Sequence, residues 1–282
     1  MNWLMKAVSF VISNEEMMSL TFHRTFSLSR SSIAKVTELA YSHPGFKLDD
    51  LAQSTDLGTI YQEAMPRYAF RAGLLDQRNY LTTFGRFAAE RDPGLERVAT
   101  QWLLHYHLAA PLGPTAFWHH LVRTRFLPGN AFSADELTTD LTAFLQEVAG
   151  KAPAPRSIRS TVTVFTGTYL KADGLKGLGL LEETAAKAYR VPPSEAPPLW
   201  ALGYALAEYW QARYGQRLTI NLDDLIHGDF AAVFLLGEER LAQLLTRLKQ
   251  AGMLDLYRVA HPYQVVLLQP SLEYALDKMY EL

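Results

Sequence analysis

Apolar residues recur at helical spacing along most of the chain. The stretch "SRSSIAKVTELAYSHPG" begins with serines that favour a helix cap, and it ends at a "HPG" sequence that stops a helix. Its apolar residues share one helical stripe: Ile33, Val36, Leu39 and Ala40. A short second helix is predicted in "KLDDLAQSTDLG". A longer third helix is predicted in "TIYQEAMPRYAFRAGLL", with a kink or late start at Pro66.

The pattern changes directly after the third helix. In "DQRNYLTTFGRF", Asp76 and Asn79 favour a turn, and the run from Tyr80 to Phe84 is rich in residues that favour a strand. We therefore predict a β-hairpin here. Helix, short helix, turn, longer helix and hairpin is the order of a winged helix-turn-helix, whose later helix enters the major groove of DNA.

A local excess of arginine accompanies this predicted module. On the third helix we expect Ile60, Ala64, Tyr68 and Leu75 to face the core. The predicted DNA contacts on the other face and around the hairpin are Tyr61, Gln62, Arg67, Arg71, Arg78 and Arg86. Two alternatives remain at this stage, because solvated arginines also decorate helical scaffolds and winged helices also bind proteins.

The stretch from residue 95 to residue 126 is dense in Trp, His and Leu, and it predicts two antiparallel buried helices. Its histidine pairs are His105 with His107 and His119 with His120. Neither pair has the three- or four-residue spacing that places two metal ligands on one helix face, so we expect structural roles for all four. The next helix, in "FSADELTTDLTAFLQEVAG", begins with a capping box of Ser133 and Glu136.

The segment "KAPAPRSIRSTVTVFTGTYL" marks the best domain boundary. We predict an N-terminal extension and winged helix over 1–90, a helical connecting region over 91–150 and an α+β part over 151–282. The segment after the prolines fits a strand or a Ser-capped helix, and helix is preferred. Arg156 and Arg159 near its start are predicted phosphate contacts, the alternative being an exposed basic linker.

Beyond residue 185 the pattern alternates between short strands and helices. It predicts a short strand, a helix in "LWALGYALAEYWQARYG", another strand, a short and a long helix, and a terminal hairpin. Asp223, Asp224, His227 and Asp229 form an acidic cluster with a histidine, whose expected duty is capping and turn formation. The predicted fold class is mainly α with small β-hairpins.

Composition limits the function further. The chain has 282 residues, a formal net charge of −2 and no cysteine, which excludes disulfides, zinc-thiolate sites and a cysteine nucleophile. DNA binding would therefore depend on local concentrations of Lys and Arg. The opening "MNWLMKAVSFVISNEEMM" is too short to cross a bilayer and lacks a cleavage site. It predicts either an amphipathic helix or an upstream extension, in a soluble cytoplasmic protein without membrane association.

Segments along nearly the whole chain resemble the DUF4007 family, a prokaryotic family named as a domain of unknown function. They include "TFHRTFSLSRSSIAK", "LTTFGR", "ATQWLLHYHLAAP", "TAFWHHLVRTRF", "SIRSTVTVFTGTYL", "LDDLIHGDFAAVFLL" and "HPYQVVLL". Members lie in phage-defence islands and include a component of single-strand DNA phosphorothioation described as a nickase. The chain departs from the family where His119, His120 and Arg123 replace an aromatic pair followed by Asn, and where the segment from Lys171 to Glu183 is shorter.

The resemblance implies a DNA-binding component of an anti-phage defence system that nicks double-stranded DNA for phosphorothioate modification. It also implies Mg²⁺ as a cofactor, and a sulfurtransferase and an ATPase as partners. By position, His105 in "WLLHYHL" becomes the catalytic candidate. The residues themselves show no acidic pair followed by Glu-x-Lys, no His-Asn-His cluster and no tyrosine with a twin-histidine metal motif. A non-catalytic DNA-binding or scaffold subunit therefore remains the alternative.

Overall fold

The computed structural model describes residues 20–150, 153–193, 195–257 and 261–281. The sequence-based hypotheses about the opening "MNWLMKAVSFVISNEEMM" fall outside these residues. So does the start of the proline-rich boundary segment. Within the described part, the protein is mainly helical and contains two small antiparallel sheets of three strands each. This confirms the predicted balance of helix and strand.

The three helices predicted near the N-terminus are present. They are α1 (Arg30–Ser42), α2 (Leu48–Ser54) and α3 (Thr59–Arg71), and they pack on one another. Ser29 caps α1, because its hydroxyl accepts a hydrogen bond from the backbone N–H of Ser32. Pro66 lies inside α3, which runs through it without a break in its assigned span.

The predicted hairpin after α3 is wrong. Only one isolated bridge, between Leu75 and Leu81, joins the two sides of the turn, and α4 (Thr83–Arg91) begins where the second strand was expected. The hydroxyl of Thr82 accepts from the backbone N–H of Gly85, which caps the new helix. Gly85 also lies directly against the backbone of Leu74, so that a Cβ there would come within 1.9 Å of the Leu74 carbonyl oxygen. A winged helix-turn-helix is thus not shown.

The buried stripe of α3 is shifted from the prediction. Ala64, Tyr68 and Leu75 are buried as expected, but Ile60 is 54% exposed. The residues that face the core are Ala64, Met65, Tyr68, Ala69, Arg71 and Ala72. Ile60 lies one turn before the start of this stripe.

The central helices follow the sequence pattern. They are α5 (Val98–Ala109), α6 (Ala116–Arg125) and α7 (Ala134–Ala149). The predicted capping box of Ser133 and Glu136 is confirmed, and Gly150 ends α7 in a left-handed conformation. Immediately before α7, the chain forms a short strand, β1 (Ala131–Ser133), which the sequence analysis did not assign.

The second half begins with α8 (Pro155–Leu170), which confirms the helical interpretation of "RSIRSTVTVFTGTYL". A short 3₁₀ turn (Lys176–Leu178) follows. The remaining elements are β2 (Glu182–Ala185), β3 (Ala188–Arg190), α9 (Leu199–Tyr214), β4 (Thr219–Asn221), α10 (Leu222–Ile226), α11 (Asp229–Val233), α12 (Glu238–Gln250), β5 (Leu254–Tyr257), β6 (Gln264–Leu267) and α13 (Leu272–Glu281). The terminal helix α13 was missed, although its buried residues recur at helical spacing.

Contacts cross both predicted domain boundaries. In the first sheet, β1 lies beside β3, which lies beside β2, so the sheet joins residues before and after the proline-rich segment. In the second sheet, β6 lies between β4 and β5. Helix α13 packs against both α9 and α4. The elements that carry the predicted DNA-binding residues are therefore held against the second half of the chain.

Candidate nucleic-acid interface

On helix α3, Arg67 is the predicted contact that lies fully at the surface. Tyr61 is half-buried, with its ring centroid 4.5 Å from that of Phe26. The side-chain amide of Gln62 donates to the carbonyl oxygen of Leu57 at 2.6 Å. The Tyr61 ring and the Gln62 amide therefore hold α3 against its neighbours. Of these three predicted contacts, Arg67 is the one whose side chain is exposed to solvent.

Arg71 is not at the surface. Only 4% of it is exposed, and its guanidinium lies 4.4 Å from the centroid of the Phe22 ring. Its charge also reaches His23, where burial and then Arg71 lower the pKa from 6.5 to about 4. In this conformation Arg71 is a core cation and cannot contact a phosphate.

Arg78 and Arg86 are exposed, but they do not bracket a hairpin. Arg78 lies in a turn in which the Asp76 carboxylate accepts from the backbone N–H groups of Arg78 and Tyr80. Arg86 lies on α4, with its guanidinium 5.4 Å from the centroid of the Phe87 ring. Both side chains therefore project from a turn and helix that are anchored to the core.

Arg156 and Arg159 are exposed in the first turns of α8. No side chain caps this helix and no acidic residue lies in its first turn, so its N-terminal N–H groups and both arginines reinforce one positive field. This is the kind of helix start at which phosphate groups bind.

The segment from residue 20 to residue 28 brings α3 and α8 together. At one end, Phe22 packs edge-on against Tyr68 of α3, and His23 hydrogen-bonds to the Thr161 hydroxyl of α8 at 3.2 Å. At its other end, Phe26 packs on Tyr61, near the start of α3, and the Leu28 N–H donates to Thr168, near the end of α8. The two helices therefore run in opposite directions along the segment.

This antiparallel arrangement has a consequence for charge. The start of α8, which carries Arg156 and Arg159, lies at the same end of the segment as the second half of α3, which carries Arg67. Near the start of α3, Arg24 and Glu63 form an ion pair at 2.8 Å, which neutralises that end locally. The two basic groups predicted separately from the sequence thus lie on two helices that contact the same structural segment.

The predicted catalytic residue His105 is completely buried. Its Nε2–H donates to the carbonyl oxygen of Val233 at 2.8 Å, and its Nδ1 accepts from the Tyr169 hydroxyl at 2.9 Å. Trp118 in turn donates its indole N–H to the same hydroxyl oxygen at 2.8 Å. Burial lowers the pKa of His105 to about 4. A DNA strand cannot reach this ring in the present conformation, so its surroundings are those of a structural histidine.

A second group on the surface was not predicted as a site. His119, on α6, is half-buried, and its Nδ1 lies 2.8 Å from the carbonyl oxygen of Ala109. One turn later on the same helix, Arg123 is 59% exposed and forms a 3.0 Å ion pair with Asp229. The four-residue spacing of His119 and Arg123 was visible in the sequence, but Asp229 joins them only through the packing of α11 on α6.

No metal centre accompanies these residues. Over the described ranges, no three or more His, Asp or Glu side chains gather in a way that could hold an ion. The described side chains therefore supply no group of three ligands for the Mg²⁺ that the resemblance implies. None of the helices in the same ranges combines the length and hydropathy needed to cross a bilayer.

Comparisons with known proteins agree with the resemblance drawn from the sequence. Two solved structures have similar folds, "Magnesium ion-bound SspB crystal structure" at 19% identity and "SspB crystal structure" at 22% identity. Each gives a TM-score of 0.75 and covers 94% of this chain and 88% of the other. Curated protein sequences give no significant match. Residues 21–280 match the family described as "Protein of unknown function (DUF4007)". The chain therefore belongs to the DUF4007 family and has an SspB-like fold.

Proposed function

We propose that the protein is the DNA-binding component of a prokaryotic anti-phage defence system, and that it nicks double-stranded DNA for phosphorothioate modification. The observation that carries the DNA-binding part is the exposure of Arg67 on α3 and of Arg156 and Arg159 in the first turns of α8, two helices that both contact the 20–28 segment. The fold shared with SspB over 94% of the chain supports the assignment to this kind of system.

The exposed arginines suit backbone contacts better than base recognition. Guanidinium groups form bidentate hydrogen bonds to phosphate oxygens, and the N-terminus of a helix supplies further N–H donors. No β-wing is available among the described residues to enter a groove beside α3. Contacts of this kind fix the register of the duplex without selecting its sequence.

The second candidate is a subunit that binds DNA without cutting it and positions partner proteins such as a sulfurtransferase and an ATPase. The buried state of His105 favours this alternative, because that residue cannot act as the base that nicking requires. Since the described side chains gather no set of metal ligands, the proposal assigns no metal-dependent step to them.

DNA binding is tested by fluorescence anisotropy with a labelled duplex across a series of salt concentrations. Combined replacement of Arg67, Arg156 and Arg159 by Ala should weaken binding to all sequences and lower the salt slope by about one for each lost phosphate contact. Arg247→Ala, on the exposed face of α12, is the matched control. Equal affinity and slope in the triple variant and the control would contradict the proposed interface.

Nicking is tested with supercoiled plasmid and Mg²⁺, with and without EDTA. Conversion to open circles by the wild-type protein supports the enzyme. A mobility shift without open circles supports the non-catalytic subunit.

A further inference from the structure

The ring of His119 is fixed in one tautomer. A carbonyl oxygen can only accept a hydrogen bond, so the 2.8 Å contact with Ala109 places a proton on Nδ1. In the neutral ring, Nε2 therefore carries the lone pair. No hydrogen-bond partner for Nε2 occurs among the described residues, and the side chain is only half-buried. An oriented imidazole whose second nitrogen has no hydrogen-bond partner is the arrangement of a general base.

Arg123 lies one helical turn after His119 on α6 and is itself oriented. Its Nε donates to the Asp229 carboxylate at 3.0 Å, so that one edge of the guanidinium is engaged and its terminal N–H groups remain available. With 59% of the side chain exposed, those groups can accept an anionic ligand without leaving Asp229. The remaining fork matches the spacing of two phosphate oxygens.

Asp229 is held in place by the backbone before it. Gly228 approaches the Asp224 carbonyl so closely that a Cβ would lie 2.1 Å from that oxygen, which only glycine permits. This turn starts α11 and directs Asp229 towards α6.

We propose that His119 and Arg123 bind the phosphodiester that is cut, with His119 as the base for the attacking water and Asp229 as a positioning residue. This inference rests on the proposed nicking function and assigns it a site at positions where this chain departs from the family pattern. Burial, and then the charge of Arg123, lower the pKa of His119, while the Ala109 hydrogen bond and Asp229 oppose them. The ring is therefore neutral, and able to take a proton, at physiological pH.

The reaction balances without a further reagent. Water transfers one proton to Nε2 of His119 while its oxygen forms the new bond to phosphorus. The bond between phosphorus and the departing ester oxygen breaks, and that oxygen takes a proton from solvent. The two terminal N–H groups of Arg123 hold the non-bridging oxygens, on which negative charge increases in the transition state.

The test compares His119→Asn with the neighbouring His120→Asn in the plasmid-nicking assay. His120 stacks on Phe144 at a centroid distance of 4.2 Å, so its replacement controls for disturbance of α6. His119→Asn should slow nicking by about 100-fold or more, which is the usual contribution of a general base, and His120→Asn should nick like wild type. Arg123→Ala should slow nicking and weaken binding of a short single-stranded oligonucleotide.

Three measurements separate the outcomes. Wild-type activity should fall on acidification as His119 is protonated, and the residual activity of His119→Asn should lose this dependence. Nicking by His119→Asn at the wild-type rate would overturn the inference, and so would DNA binding by the wild-type protein without any nicking. In both cases the DNA-binding function would stand. Absence of DNA binding in the anisotropy assay would instead refute the proposed function itself.

Discussion

The hydroxyl of Tyr169 donates a hydrogen bond to Nδ1 of His105 at 2.9 Å, deep in the core. The same hydroxyl oxygen accepts from the indole of Trp118, and Nε2 of the histidine donates to the Val233 carbonyl. This chain of three hydrogen bonds connects α5, α6, α8 and the end of α11. Every polar atom in it is satisfied, which removes the cost of burying them and fixes the relative positions of the helices.

Tyr169→Phe tests this chain. The loss of one oxygen leaves Nδ1 of His105 and the Trp118 indole without partners in an environment that water does not reach. We expect a loss of unfolding free energy of about 2–3 kcal/mol, measured by chemical denaturation. Tyr41→Phe, in which 54% of the residue is exposed, is the control and should change stability little. Equal stabilities of the two variants would show that the chain contributes nothing.

Two buried histidines make stability depend on pH. The pKa of both His105 and His23 falls from 6.5 to about 4, mainly because burial disfavours the charged ring. Between about pH 6.5 and pH 4 the unfolded chain binds more protons at these sites, so stability falls as the pH decreases through this window. Each site can contribute about 3 kcal/mol at most.

Denaturation curves recorded from pH 7 to pH 4 measure this effect. The variant His105→Gln keeps two hydrogen-bonding atoms but does not titrate. It should be less stable than wild type at pH 7, yet it should lose less stability on acidification. If the unfolding free energies of wild type and His105→Gln fell equally on acidification, the titration of His105 would not be the cause of the pH dependence.

Gly73 and Gly150 provide a matched pair of substitutions. Both have a left-handed backbone, with φ of 77° and 73°. A Cβ at Gly73 would come within 2.3 Å of the His107 ring, whereas nothing lies within 4 Å of a Cβ at Gly150. Gly150→Ala should therefore cost about 1 kcal/mol through backbone strain alone. Gly73→Ala should cost about 1–3 kcal/mol more through overpacking. Melting temperatures that match between the two variants would contradict the close approach of His107.

Arg67 and Arg71 lie one turn apart on α3, yet they should respond differently to truncation. Arg67→Ala should lower DNA affinity and the salt slope without changing the melting temperature, because this side chain is exposed. Arg71→Ala should lower the melting temperature, since the guanidinium over the Phe22 ring is removed from the core. If Arg71→Ala changed only the salt dependence of DNA binding, and not the melting temperature, the buried position of Arg71 would be contradicted.

Local patterns in the sequence were sufficient for most of the helices. Ser133 and Glu136 signal a helix start because they satisfy the first N–H groups of their own helix, and this interaction needs no distant partner. The apolar stripe of α1 and the presence of α5, α6 and α8 follow from the same short-range logic. Family membership was also visible in the sequence, because motif order survives where single residues diverge.

Only the tertiary structure decided the rest. Residues 80–84 have strand propensity, but the cap made by Thr82 and the contact of Gly85 with Leu74 place most of them in a turn and a helix start. Arg67 and Arg71 are both arginines and lie one turn apart on α3. They differ only in that the Arg71 guanidinium is buried against the Phe22 ring. His119 and Asp229 are more than a hundred residues apart, so the packing of α11 on α6 alone brings them together. The sequence pattern indicates the local conformational preference of each residue. The burial and the electrostatic environment of a side chain depend instead on residues that are distant in the sequence and are brought close by folding.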